Sequence, residues 1–279
     1  MVEELSATMN LENPTKTELA RSLGVSRSSL YYQSTLPQKD WQLKIRIEQT
    51  LEDQPSYGHK RIGTALKIGK NRAKRVMKMF GIKPYRRRGK RPNKTRDLGQ
   101  IPVAFKNWLQ LIPFPERAGV VWVSDFTYIP FHGRFVYLAT IIDLFTREIV
   151  GWAVWTAHST QLVLLALIDA LEKHPPAKYL HSDQGTEYKS KTYCGLAQQA
   201  GITISMSHKS SPWENGYQES FYSQFKVDLG DPGRFKTLGE LTATIYLVIH
   251  NYNHHRIHTA LKMPPAIFAQ RQRNQVLLN

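Results

Sequence analysis

The sequence predicts an α/β protein in which a mixed β-sheet covered by helices follows a small, strongly basic all-α region. Two observations predict it. From Tyr57 to Arg96 there are 16 Lys or Arg and no Asp or Glu, an excess equal to the net +16 of the 279-residue chain, so the remainder is close to neutral. After Gly119 the apolar pattern changes from helical spacing to short β-branched and aromatic runs, and then to alternating helix and strand.

The basic front points to a polyanionic partner, nucleic acid ahead of an anionic membrane, because Lys and Arg gain affinity by releasing counterions condensed on phosphates; double-stranded DNA is the partner expected. No run approaches the roughly 20 uncharged apolar residues of a membrane span, and no basic-then-apolar signal opens the chain. A soluble protein of the cytoplasm, associated with the nucleoid, is expected. The single Cys194 excludes an internal disulfide and a Cys-pair zinc module, and reads as a small core residue. No internal repeat is visible, which argues against solenoids and propellers.

Four segments are expected: an N-terminal helix-turn-helix over 1–36, a second basic helical module with its basic linker over 37–97, a linker over 98–117, and a catalytic core over 118–279. In the first, TKTELARSLGVSRSSLYY reads as a helix, a tight turn at Gly24 and a second helix capped by Ser26. In the second, Asp40 to Leu51 is amphipathic, Lys60 to Lys67 suits a short helix, and Asn71 to Phe80 a basic helix ended by Gly81. Its Arg72, Lys74, Arg75 and Lys78 lack compensating acids, so their mutual repulsion is relieved best by phosphates. The following YRRRGKRPNKTR, with Arg86, Arg87 and Arg88, has no apolar periodicity and reads as an extended basic linker along DNA.

In the core, VVWVSDFTYI, RFVYLATIID and REIVGWAVWT are three sequential strands, with turns at His132-Gly133 and Thr146-Arg147. Gln161 to Lys173 follows as an apolar helix, Lys178 to Asp183 as a short strand, Lys189 to Gly201 as a helix and Ile202 to Met206 as a strand. From Trp213 onward the chain reads as helical.

Phosphodiester chemistry needs acids that converge on hard divalent cations, so the informative carboxylates are those at strand ends and helix starts. Asp125 ends a buried run, where an unpaired charge is costly. Asp183, in HSDQGTEY, stands at a strand edge before a glycine turn. On a helix, Glu219 shares a face with Asn215 and Lys226, while Phe221, Phe225 and Leu229 form a separate apolar stripe. Glu214 is a second candidate for the third acid. Asp143 fits a turn with Arg147. His181 lies on the strand face of Asp183, with DNA or a metal-bound water as possible partners, and His254 with His258 form an i, i+4 pair that invites a zinc reading.

Asp125, Asp183 and Glu219, with 35 residues between the last two, match the D,D(35)E pattern of transposases and retroviral-type integrases. With VWVSDFTYI, YLATIIDLFTREIVGW, HSDQGTEY, ESFYSQFK and NYNHHRIHTALKMPP, the chain resembles the second-frame product of the IS-three family of bacterial insertion sequences, over about Tyr57 to Pro265. The resemblance implies an RNase H-like core, with Asp125, Asp183 and Glu219 as ligands of Mg²⁺ (Mn²⁺ substituting) and Lys226 at the DNA end. It further implies cleavage and strand transfer at terminal inverted repeats by a homo-oligomer. Glu187 stands where the family often carries a polar amide. The rival readings are a helix-turn-helix regulator with an inactive core, and a ribonuclease H-type nuclease without the joining step.

Overall fold

The computed structural model describes residues 15–85, 105–207 and 216–278. They fall into two compact units that divide between Arg46 and Ile47.

In the first unit, α1 (Lys16–Ser22) is opened by a capping box in which Thr15 and Glu18 satisfy each other's backbone N–H groups. Gly24, at φ +65°, makes the expected turn. The second element is a five-residue 3₁₀ helix, Arg27–Tyr31, rather than a full α-helix. Ser26 caps it, but its hydroxyl also bonds those of Ser28 and Ser29, and serines that bond locally in this way compete with the α-helical ladder. A long helix, α2 (Leu36–Asp53), runs through the division between the units.

After the end of α2, the second unit contains α3 (His59–Ala65) and α4 (Lys70–Met79). A Cβ at Gly63 would come within 3.1 Å of the Ile68 carbonyl, so glycine lets the two helices meet closely. Gly81, φ +65°, closes α4 with Ile82 N–H donating to the Met77 carbonyl, as the sequence predicts.

The sheet has the order β3-β2-β1-β4-β5. Strands β1 (Val121–Phe131), β2 (Arg134–Asp143) and β3 (Ile149–Trp155) form an antiparallel meander, and β4 (Tyr179–Ser182) and β5 (Thr203–Met206) join it in parallel. His132 and Gly133 both have positive φ, the hairpin geometry that matches strand twist. Asp143 is structural: its carboxylate accepts from the backbone N–H groups of Gly119, Phe145 and Thr146.

Because side chains alternate along each strand, the sheet has two apolar faces. Trp122, Ala139, Ile141 and Ala153 pack against α5 (Thr160–Lys173) and α6 (Lys191–Gln199), where Cys194 is buried. Ile129, Leu138 and Ile142 pack against α7 (Gly216–Leu229) and α8 (Leu238–His254). A Cβ at Gly151 would lie 2.6 Å from the Ala170 Cβ and 2.7 Å from its backbone nitrogen, so α5 rests directly on the β3 backbone. The helical stretch expected from Trp213 onward is three helices within the described residues, α7, α8 and α9 (Pro265–Leu278). Gly230, at φ +72°, and an Asp231 cap followed by Pro232 break it after α7.

Residues 54–61 are fastened to the far end of α8. Arg256, 3% exposed, donates to Gln54 Oε1 (3.2 Å) and Ser56 Oγ (2.8 Å) and pairs with Asp228 of α7 at 3.1 Å. The Tyr57 hydroxyl accepts from Ile257 N–H at 2.6 Å.

Candidate carboxylate site at the sheet edge

Strands β1 and β4 run parallel with Val123 opposite His181, so Asp125 and Asp183 each stand two residues beyond that pair. Adjacent strands are about 4.8 Å apart, which sets the two acids side by side where β4 ends. Asp125 Oδ1 accepts from Phe126 N–H at 2.8 Å, and Asp183 Oδ1 from Gly185 N–H at 2.9 Å. Each carboxylate is oriented by its own turn of backbone.

Glu219 comes from the first turn of α7. The residues on either side of it along the helix face do the aiming. Gln218 Nε2 donates to the carbonyls of Val123 (2.6 Å) and Thr140 (3.1 Å), and the Tyr222 hydroxyl donates to the carbonyl of Asp125 at 2.6 Å. Both are buried, so these bonds fix α7 against β1 in one register. Sequence reasoning missed this clamp, although an amide and a phenol four residues apart beside an apolar stripe were its visible signal.

The electrostatics follow from the convergence. Burial, and then the neighbouring Asp183 and Glu219 carboxylates, raise Asp125 from 3.8 to about 7, against the Phe126 N–H bond that lowers it. A carboxylate held this way is discharged most readily by a cation. Among the described residues no three His, Cys, Asp or Glu side chains are close enough to hold a single ion. A cavity of about 910 Å³ opens at the other end of the sheet, by Gly119, Tyr179, His174 and Arg273, and none of the three carboxylates lines it.

Two stretches of the chain, 115–212 and 200–265, match the Integrase core domain family. The 31 kDa protein of insertion element IS600 from Shigella sonnei is 32% identical over 91% of this chain and 98% of its own length. The chain belongs to the insertion-sequence transposases. The putative transposase InsK of IS150 from Escherichia coli K12 is 29% identical over 88% of this transposase and 89% of its own length. The IS904 transposase of Lactococcus lactis is 40% identical, but over half of this chain and 57% of its own length. In fold, a chain of the simian T-cell lymphotropic virus intasome in complex with PP2A regulatory subunit B56 gamma aligns with TM-score 0.51 and 12% identity, over 79% of the transposase and 73% of that chain. The mixed sheet is therefore the RNase H-like core of the integrases, and the family is one of polynucleotidyl transferases.

The remaining predicted residues of the transposase separate clearly. On α4, Ala73, Val76 and Met77 are buried while Arg72, Lys74 and Lys78 are exposed and Arg75 is half-buried. Lys226 holds its ammonium 4.8 Å from the centre of the Tyr128 ring. Arg86, Arg87, Arg88 and Glu214 lie outside the described residues. His181 is fully buried, its Nδ1 bonds Ser205 Oγ at 2.9 Å, and burial lowers it to about 4. It shares a strand face with Asp183, but only Asp183 passes the end of the sheet. His254 and His258 are not one turn apart on a helix, because α8 ends at His254. Glu187 is buried and bonds His158 at 2.8 Å. No helix among the described residues is long and apolar enough to cross a membrane.

Proposed function

We propose that this transposase cleaves and joins DNA at the terminal inverted repeats of its element, with Asp125, Asp183 and Glu219 as the reacting centre. The observation that carries the reading is Asp125, raised first by its burial and then by the Asp183 and Glu219 charges, with Gln218 and Tyr222 holding the helix of Glu219 in register on its strand. Three oxygen donors of this kind suit Mg²⁺, or Mn²⁺ in its place. When bound, the ions activate an oxygen nucleophile and steady the leaving oxygen of an in-line displacement. Asp125 would serve both ion positions, Asp183 one and Glu219 the other.

The residues of the chain divide the remaining work. Lys226 holds a phosphate beside the one under attack. Arg72, Lys74, Arg75 and Lys78 on α4, with Arg86, Arg87 and Arg88 and the helix-turn-helix region of 1–36, grip the duplex. The modules of 1–36 and 37–97, the linker 98–117 and the core 118–279 then act as grip, reach and chemistry, in a homo-oligomer at the bacterial nucleoid. The test is incubation of the purified protein with candidate element ends and Mg²⁺, scoring cleaved and joined products separately. Neither product from any end, with duplex binding intact, overturns the reading.

A further inference from the structure

Beyond the carboxylates, the sheet face that carries α5 continues past the start of that helix without cover from it. Tyr128, Tyr137 and Trp155 are cross-strand partners, one each on β1, β2 and β3, and so form a single row. Phe135, two residues before Tyr137 on the same face, meets Tyr128 edge to face at 5.3 Å. Tyr128 is 56% exposed, Phe135 48% and Trp155 41%. Large aromatic rings grouped at the surface mark a recognition site rather than a core. His158 stacks on Tyr137 with ring centres 5.6 Å apart and stiffens the inner side of the row.

Two further features fix the kind of partner. The row begins three residues after Asp125 on the same strand, roughly 10 Å along it, and the odd spacing turns its rings to the opposite face of the sheet from the carboxylate, which faces the helix of Glu219 and Lys226. The Lys226 ammonium lies over the Tyr128 ring, so the shelf has a cation at the end nearest the carboxylates. Flat rings beside a cation match a nucleotide, whose base offers a π face and whose phosphate offers a negative charge. A base inside a duplex hides both faces in the stack. An unpaired strand offers such a face at every base, a duplex only at its two ends.

We propose that Tyr128, Phe135 and Trp155 are a stacking shelf for unpaired bases of single-stranded DNA next to the reacting phosphate. The assignment rests on the proposed role of the carboxylates, but its measurement needs no metal and no turnover. Stacking ignores base identity, so the shelf accepts whatever sequence is opened there.

The test is binding of a 5′-labelled oligothymidylate, and of a duplex of equal length, to the full chain without divalent metal. Tyr128→Ala and Trp155→Ala each weaken single-strand binding about tenfold, in the range of one lost base stack, and leave duplex binding within about twofold. Tyr128→Phe keeps wild-type affinity, because the ring does the stacking. The slope of log affinity against log salt stays unchanged in Tyr128→Ala, since no phosphate contact is removed. Phe135→Ser, at an exposed hairpin position, gives the same loss if Trp155→Ala fails to fold. Unchanged single-strand affinity in Tyr128→Ala and Phe135→Ser overturns the proposal. So does loss of self-association with single-strand binding intact, which makes the row a protein interface. The binding measurement contains no metal and reads no turnover, so a failed shelf leaves the carboxylate reading standing, and failed cleavage leaves the shelf standing.

Discussion

The Tyr222 hydroxyl donates to the backbone carbonyl of Asp125 at 2.6 Å, joining the helix of Glu219 to the strand residue it must face. Tyr222→Phe removes the bond and keeps the ring among Phe221, Phe225 and Tyr252. A lost buried hydrogen bond costs about 1 kcal/mol, or a few degrees in melting temperature. Joining is expected to fall further than stability, by about tenfold, because small misplacement of a reacting group is costly. Parallel melting curves and joining assays decide it: equal joining in both proteins leaves the bond a purely structural one.

Asp125 supplies a pH dependence with a definite sign. Its folded value of about 7 lies above the ordinary 3.8, so the neutral acid is favoured by folding. That contribution is complete below about pH 4 and is lost as pH rises through about 7. Metal-free wild type should therefore lose melting temperature relative to Asp125→Asn between pH 5 and 8, and Mg²⁺ should close the gap at pH 8 in the wild type. Asp125→Asn, Asp183→Asn and Glu219→Gln should each abolish cleavage while duplex binding persists. A pH-independent gap would mean that Asp125 is not desolvated.

Arg256 is a structural fastener with an unequal penalty for its replacements. Arg256→Leu leaves the largely buried Asp228 carboxylate, already raised by burial, without its guanidinium, and frees Gln54 and Ser56. A loss of about 3 kcal/mol is expected, the usual consequence of removing one partner of a buried ion pair. The double variant Arg256→Leu with Asp228→Leu should recover part of it. Denaturant unfolding of the three proteins measures the recovery, and none at all would assign the loss to packing.

Lys226→Ala should weaken binding to a cleaved element end and reduce joining, with stability changed by about 0.5 kcal/mol or less, as is usual for a substitution away from the core. The salt slope for that end should shrink by about one phosphate equivalent. An unchanged slope removes Lys226 from the DNA.

Much of this protein was legible because its signals are local. Asp125 and Asp183 announce themselves as acids at the ends of apolar runs, and Gly24, Gly81 and His132-Gly133 mark turns that only positive φ can make. Gln218 and Tyr222 were illegible for the opposite reason. Their partners are backbone carbonyls about a hundred residues earlier, and a carbonyl carries no sequence signature. The 3₁₀ form of Arg27–Tyr31 depends on three serine hydroxyls choosing one another over solvent, which helix periodicity does not record. Arg256 carries no sequence signal of its role, and only its burial reveals it as the tie between α8 and residues 54–61.

Gly151 bears on how loss-of-function screens of this transposase are interpreted. The residue lies against α5 rather than at the carboxylates, and even alanine would drive its methyl group into the backbone of that helix. The helix would have to lift, and the layer beneath it includes Trp122, three residues before Asp125 on the same strand. Every substitution at 151 would then score as inactive, side by side with the proposed reacting acids. A map of intolerant positions would place Gly151 among the catalytic residues, and only a thermal melt would return it to the scaffold.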